Sequence, residues 1–115
     1  MRRGDVLLVD LDPARASESA KTRPAVLVSN DGANRTAEQL GRGVVTVVPL
    51  TTNVRHVYPF QVLVPAGASG LRRPSKAQAE QVRSVSLDRL GSVVGRLGPD
   101  LLDELDDALR LHLDL

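Results

Sequence analysis

The five residues Val44-Val45-Thr46-Val47-Val48 constrain this chain more than any other stretch. All are β-branched and stiff about χ1, and they fit a pleated strand better than a helix. The run shows almost no polar alternation, which predicts a central strand covered on both faces. Such a strand needs neighbours, and the chain supplies them. Val6 to Leu11 is an apolar run stopped by Asp12-Pro13 and reads as a strand followed by a turn. Pro24 opens a second strand over Ala25–Ser29. Phe60-Gln61-Val62-Leu63-Val64 alternates as a half-buried strand does. Ser75 begins a short strand followed by irregular structure to Val85, and Ser92-Val93-Val94-Gly95 forms a last small strand.

The connections carry their own signals. Ala14 to Arg23 has neither a two-residue nor a helical period and forms a long loop, of the kind that is usually functional. Asn30-Asp31-Gly32-Ala33-Asn34 is turn chemistry, with a short helical turn within 35–43. Gly67 to Pro74 is a second loop. Gly98-Pro99-Asp100 has the proline and acid of a helix start. Beyond it Leu101, Leu102, Leu105, Ala108, Leu109 and His112 share one side, while Asp103, Glu104, Asp106, Asp107 and Arg110 lie mainly on the other. This predicts an amphipathic C-terminal helix with a solvated acidic face and a packed His112. The fold class is mainly β: one small barrel-like domain over residues 1–115, closed by a C-terminal α-helix.

Composition removes several functions. With no cysteine among 115 residues, thiol nucleophiles, disulfide scaffolds and Cys-ligated zinc are excluded. The two histidines, His56 and His112, have no metal-binding spacing, so no metal or other cofactor is expected. No apolar run approaches the roughly 20 residues that cross a bilayer, and the N-terminus is no secretory signal, so the expected compartment is the cytoplasm, without membrane attachment. The net charge of +1 hides an asymmetry. Residues 1–97 carry 14 basic and 8 acidic side chains, whereas residues 98–115 carry one basic and six acidic. A basic body points to a polyanionic partner, although thirteen of the fifteen cations are Arg and such a bias also arises from genome composition. Single-strand readers that stack bases on a sheet use several aromatics, and this chain has only Tyr58 and Phe60. Phe60 is expected in the core, and Tyr58 at a loop edge.

What remains is a set of polar residues at strand ends. Arg23 precedes Pro24, Thr51 and Thr52 end the central strand, and Gln81 and Arg83 follow Ser75. If the second and third strands are neighbours, these ends converge on one face.

The same residues carry a resemblance. Arg3-Gly4-Asp5-Val6, Val9-Asp10-Leu11-Asp12-Pro13, Ser17-Glu18 and Lys21-Thr22-Arg23-Pro24-Ala25-Val26-Leu27-Val28 resemble the opening of the MazF/PemK toxin family. The likeness resumes at Val48-Pro49-Leu50-Thr51-Thr52-Asn53, Tyr58-Pro59-Phe60, Ser75, Glu80-Gln81-Val82-Arg83-Ser84-Val85 and Arg89-Leu90. Ala16 stands where the family usually has Gly. The resemblance implies an SH3-like barrel of the CcdB–MazF type and a homodimer. It further implies metal-independent, sequence-specific cleavage of single-stranded RNA, and inhibition by a cognate, MazE-like antitoxin through an acidic, partly disordered segment. It maps the catalytic pair onto Arg23 and Thr51. Ser17, Glu18, Lys21, Thr52, Asn53, Tyr58, Ser75 and Gln81 are then the candidates for RNA positioning and base reading. Two alternatives stay open: a CcdB-like toxin that binds DNA gyrase and cuts nothing, and an inactive barrel that binds RNA or antitoxin.

Overall fold

The structure, a computed structural model, describes residues 1–11, 22–67 and 69–115. Its elements follow in the order β1 (Asp5–Asp10), β2 (Thr22–Leu27), α1 (Asp31–Leu40), β3 (Val44–Thr51), β4 (Gln61–Val64), β5 (Ser75–Gln78), β6 (Arg83–Ser86), β7 (Leu90–Arg96) and α2 (Pro99–Leu113). Short 3-10 turns, Ala79–Gln81 and Leu87–Arg89, precede β6 and β7. The pairings are antiparallel throughout, in the order β4-β5-β3-β2-β1-β7, with β6 also on β3.

The β-branched run forms the central strand expected of it. At eight residues β3 is long enough to serve two partners along one edge, β6 beside Val44–Val47 and β5 beside Leu50–Thr51. Its other edge pairs with β2 through Ala25↔Pro49, Val26↔Val48 and Leu27↔Val47. Alternate residues then feed two cores, as the two-residue period of a strand requires. Val6, Val26, Val48 and Leu50 pack under α2 with Val62, Val64, Leu105 and Ala108. Leu7, Val9, Ala25, Leu27, Val45 and Val47 pack on the opposite face with Ala37 of α1.

Several local expectations need correction. Residues 31–34 are the first turn of α1, a full helix, rather than a free turn. The Asn30 side chain accepts the Ala33 N–H at 2.8 Å, so its turn chemistry serves as an N-cap. Strand β2 starts at Thr22, before Pro24, because Pro24 sits opposite Leu8 in the ladder. The small strand at 92–95 extends over Leu90–Arg96, and a further strand, β6, follows the irregular turn after β5. His112 is exposed rather than packed, as are all residues of α2's end from Arg110 on. Phe60 is only half-buried and stacks on Tyr58. The acidic face of α2 is exposed at Asp103, Glu104 and Asp107, whereas Asp106 pairs with Arg3 at 2.6 Å.

Candidate active site at the open ends of β2 and β3

A proline shapes the site. The β2–β3 ladder ends at Ala25↔Pro49, beside Pro24. Pro24 has no N–H to offer the Leu50 carbonyl and so cannot continue it, and a strand loses its pairing where donors fail. Continued by two residues in the same register, the ladder would set Arg23 opposite Thr51. Arg23 instead stands exposed, paired in the backbone only with Val9 of β1, and Thr51 is half-buried and paired with Lys76 of β5. By strand alternation both side chains continue the face of Ala25, Leu27 and Val47, beyond the end of that core. Arg23 and Thr51 thus each lie two residues beyond the last pair of the β2–β3 ladder, on one face by alternation.

Their surroundings hold two further arginines, one of them, Arg89, in an ion pair with Asp10 at 4.0 Å. Among the described residues no carboxylate pairs with Arg23. Arg83 of β6 donates to the Leu11 carbonyl at 3.0 Å, and Arg89 to the Asp10 carbonyl at 3.3 Å. Guanidinium groups from two further elements thus gather at the end of β1, next to the strand that carries Arg23. The Thr51 hydroxyl accepts the Asn53 backbone N–H at 3.2 Å, a local turn that leaves its own O–H proton free to donate. Asn53 in turn accepts the Arg55 N–H through Oδ1 at 3.3 Å. Among the described residues no group of His, Asp and Glu side chains is placed to hold a metal ion.

The remaining candidates divide. Thr52, Asn53, Tyr58 and Gln81 are exposed, the first three in the loop that follows Thr51. Ser75 is not available on that surface. It is 2 % exposed, and its hydroxyl donates to the Arg73 carbonyl at 3.2 Å. It points with its partner Val64 and with Ala77 toward the core beneath α2. Ser17, Glu18 and Lys21 lie outside the described residues. Arg83 was among the strand-end residues singled out in the sequence, whereas sequence reasoning missed Arg89 as a cation of this surface, and Lys76, a buried lysine in an otherwise arginine-rich chain. No sequence signal marks Lys76 as buried, since alternation with Ser75 and Ala77 puts it on the other face of β5.

A bent antiparallel sheet capped by a C-terminal helix, with an arginine and a threonine at adjacent open strand ends, defines a small toxin-type barrel. The family described as PemK-like, MazF-like toxin of type II toxin–antitoxin systems matches residues 2–113, and the chain belongs to it. It is 59 % identical over 115 residues to endoribonuclease MazF9 of Mycobacterium tuberculosis, covering 100 % of this chain and 98 % of that protein. It is 30 % identical over 116 residues to endoribonuclease EndoA of Bacillus subtilis, covering 100 % of this chain and 96 % of the relative. Among solved structures, a mycobacterial endoribonuclease in complex with its cognate antitoxin superposes with a TM-score of 0.80 at 26 % identity, covering 100 % and 96 % of the two chains. No helix among the described residues is long and apolar enough to cross a membrane.

Proposed function

We propose that this chain, an endoribonuclease by family, cuts single-stranded RNA at defined sequences without a metal ion, as the toxin of a toxin–antitoxin pair. The observation that carries the reading is the exposed Arg23, without a carboxylate partner among the described residues, at a strand end neighbouring that of Thr51. The Thr51 hydroxyl accepts the Asn53 N–H and keeps its own proton to donate. RNA supplies its own nucleophile. The 2′-OH attacks the adjacent phosphorus, the P–O5′ bond breaks, and the products carry a 2′,3′-cyclic phosphate and a 5′-OH. The protein then has two tasks, to stabilise charge on the phosphorane oxygens and to help a proton reach the leaving 5′-oxygen. A guanidinium offers permanently charged, bidentate donors to phosphate. Thr51 adds one hydrogen bond to a non-bridging oxygen. Because Arg holds its proton tightly, its main contribution is electrostatic, and proton donation is secondary.

Arg83 and Arg89 hold the RNA backbone, and Thr52, Asn53, Tyr58 and Gln81 contact bases or sugars. Ser17, Glu18 and Lys21, from the segment between β1 and β2, join them. The chain acts in the cytoplasm as a homodimer. An acidic antitoxin segment that folds on binding would cover the same cations and exclude RNA. An RNA oligonucleotide with a single 2′-deoxy substitution at the cut site tests the reading. It should bind as its parent does and resist cleavage; cutting at the substituted position would refute 2′-OH attack.

A further inference from the structure

Lys76 has no part in the reaction above, yet its placement is unusual. It is 7 % exposed, and buried lysines are rare unless paired. It sits opposite Thr51 in the β3–β5 ladder, and directly opposed residues of an antiparallel pair share a face. Among the described residues no carboxylate lies within ion-pair distance of it. Its ammonium instead donates to the His56 carbonyl at 2.5 Å and lies 5.8 Å from the centroid of the Tyr58 ring. That ring is half exposed and lies parallel to Phe60, with the centroids 5.4 Å apart.

A second buried side chain holds the same segment. Gln61, also 7 % exposed, accepts the Tyr58 N–H at 3.2 Å and donates to Glu80 at 2.7 Å. Residues 52–60 have no ladder of their own beyond the end of β3, so these two side chains fix the loop that follows Thr51. Desolvating an ammonium without a counter-charge is costly, and fixing Tyr58 is what the contact achieves.

We propose that Lys76 is a positioning residue for RNA binding. Through the His56 carbonyl and the Tyr58 ring it holds the loop after Thr51 in the conformation that receives the substrate, so that RNA meets a preformed surface. The proposal rests on the RNA-cleaving reading, but part of its test does not. Tyr58 is the sole tyrosine and the chain has no tryptophan, so the intrinsic ultraviolet emission reports this ring alone.

Lys76→Met keeps the apolar stem, and the exposed His56 leaves its carbonyl within reach of water. In the variant without RNA, Tyr58 emission should become more accessible to acrylamide quenching. With an RNA oligonucleotide carrying a cut site mapped in a longer transcript, KM should rise about tenfold, the scale of one hydrogen bond to a charged group. In the same assay kcat should stay within about twofold, as for an interaction made equally in ground and transition states. In a Tyr58→Ala background the same substitution should no longer raise KM, because the lysine acts through the ring. Lys76→Gln, which keeps a donor but no charge, should fall between the parent and Lys76→Met, and it replaces the latter if that variant does not fold. Unchanged quenching with unchanged KM would overturn the proposal. So would a fall in kcat at constant KM, or a KM effect that persists without Tyr58. If the parent protein cuts no RNA, the cleavage reading fails while the quenching comparison still decides whether Lys76 holds Tyr58.

Discussion

Arg23 stands just beyond Pro24, which ends the ladder that would otherwise bring its strand against Thr51. The proposed pair thus depends on a residue that forbids pairing as much as on the two side chains themselves. Thr51→Val keeps the shape and removes one donor, so the cleavage rate should fall about 10²–10³-fold with the fold intact, measured by single-turnover kinetics. A second prediction concerns Asp31. The Arg3 backbone N–H donates to its carboxylate at 2.7 Å and holds its pKa below the ordinary value of 3.8, with help from Asn34 and nearby Arg35. A carboxylate with a lowered folded pKa contributes stability above its unfolded pKa and loses it as pH falls through the folded one. The melting temperature should therefore drop on acidification below about pH 4, and Asp31→Asn should show a smaller part of that drop. That Arg23 and Thr51 stand at the ends of neighbouring strands was legible in the sequence through their motifs. The inward turn of Ser75 and the burial of Lys76 were not, because which face a strand residue takes depends on a register that turns and neighbours set.

Among the elements, α2 and β7 are where packing is least tolerant. Leu105 of α2 is fully buried between Val6, Val26 and Val48, so Leu105→Ala should cost about 2–5 kcal/mol in a denaturant titration. Gly95 of β7 lies so close to the 69–70 turn that an added Cβ would stand 1.8 Å from the Ser69 carbonyl oxygen, and Gly70 makes the reciprocal approach to Val94. Backbone cannot retreat as a flexible side chain would, so Gly95→Ala should lower stability by about 2–3 kcal/mol or displace the turn. The C-terminal helix was readable because its period, proline start and acidic first turn agree. Helix α1 was not, because only Asn34 and Ala37 of its ten residues are buried, too few for a clear stripe. The cap residues that announce it serve equally well in turns.

For the whole molecule the governing feature is the separation of charge. Three arginines, Arg23, Arg83 and Arg89, gather where β1, β2 and β6 end, while α2 exposes Asp103, Glu104 and Asp107. RNA affinity should accordingly fall linearly in log–log form with salt, losing about tenfold or more between 50 and 200 mM if three or more phosphates are held. This asymmetry was visible from the sequence, but its sharpening into one cationic edge required the sheet order that brings β1, β2 and β6 together. The central claim is that cutting uses Arg23 and the substrate's own 2′-OH and needs no metal ion. The most direct test incubates the purified protein, and Arg23→Ala, with a long single-stranded RNA in EDTA and maps the ends. The account predicts discrete cuts with 5′-OH ends for the parent and none for the folded variant. Cutting that needs a divalent ion, or that survives Arg23→Ala at near-normal rate, would contradict it.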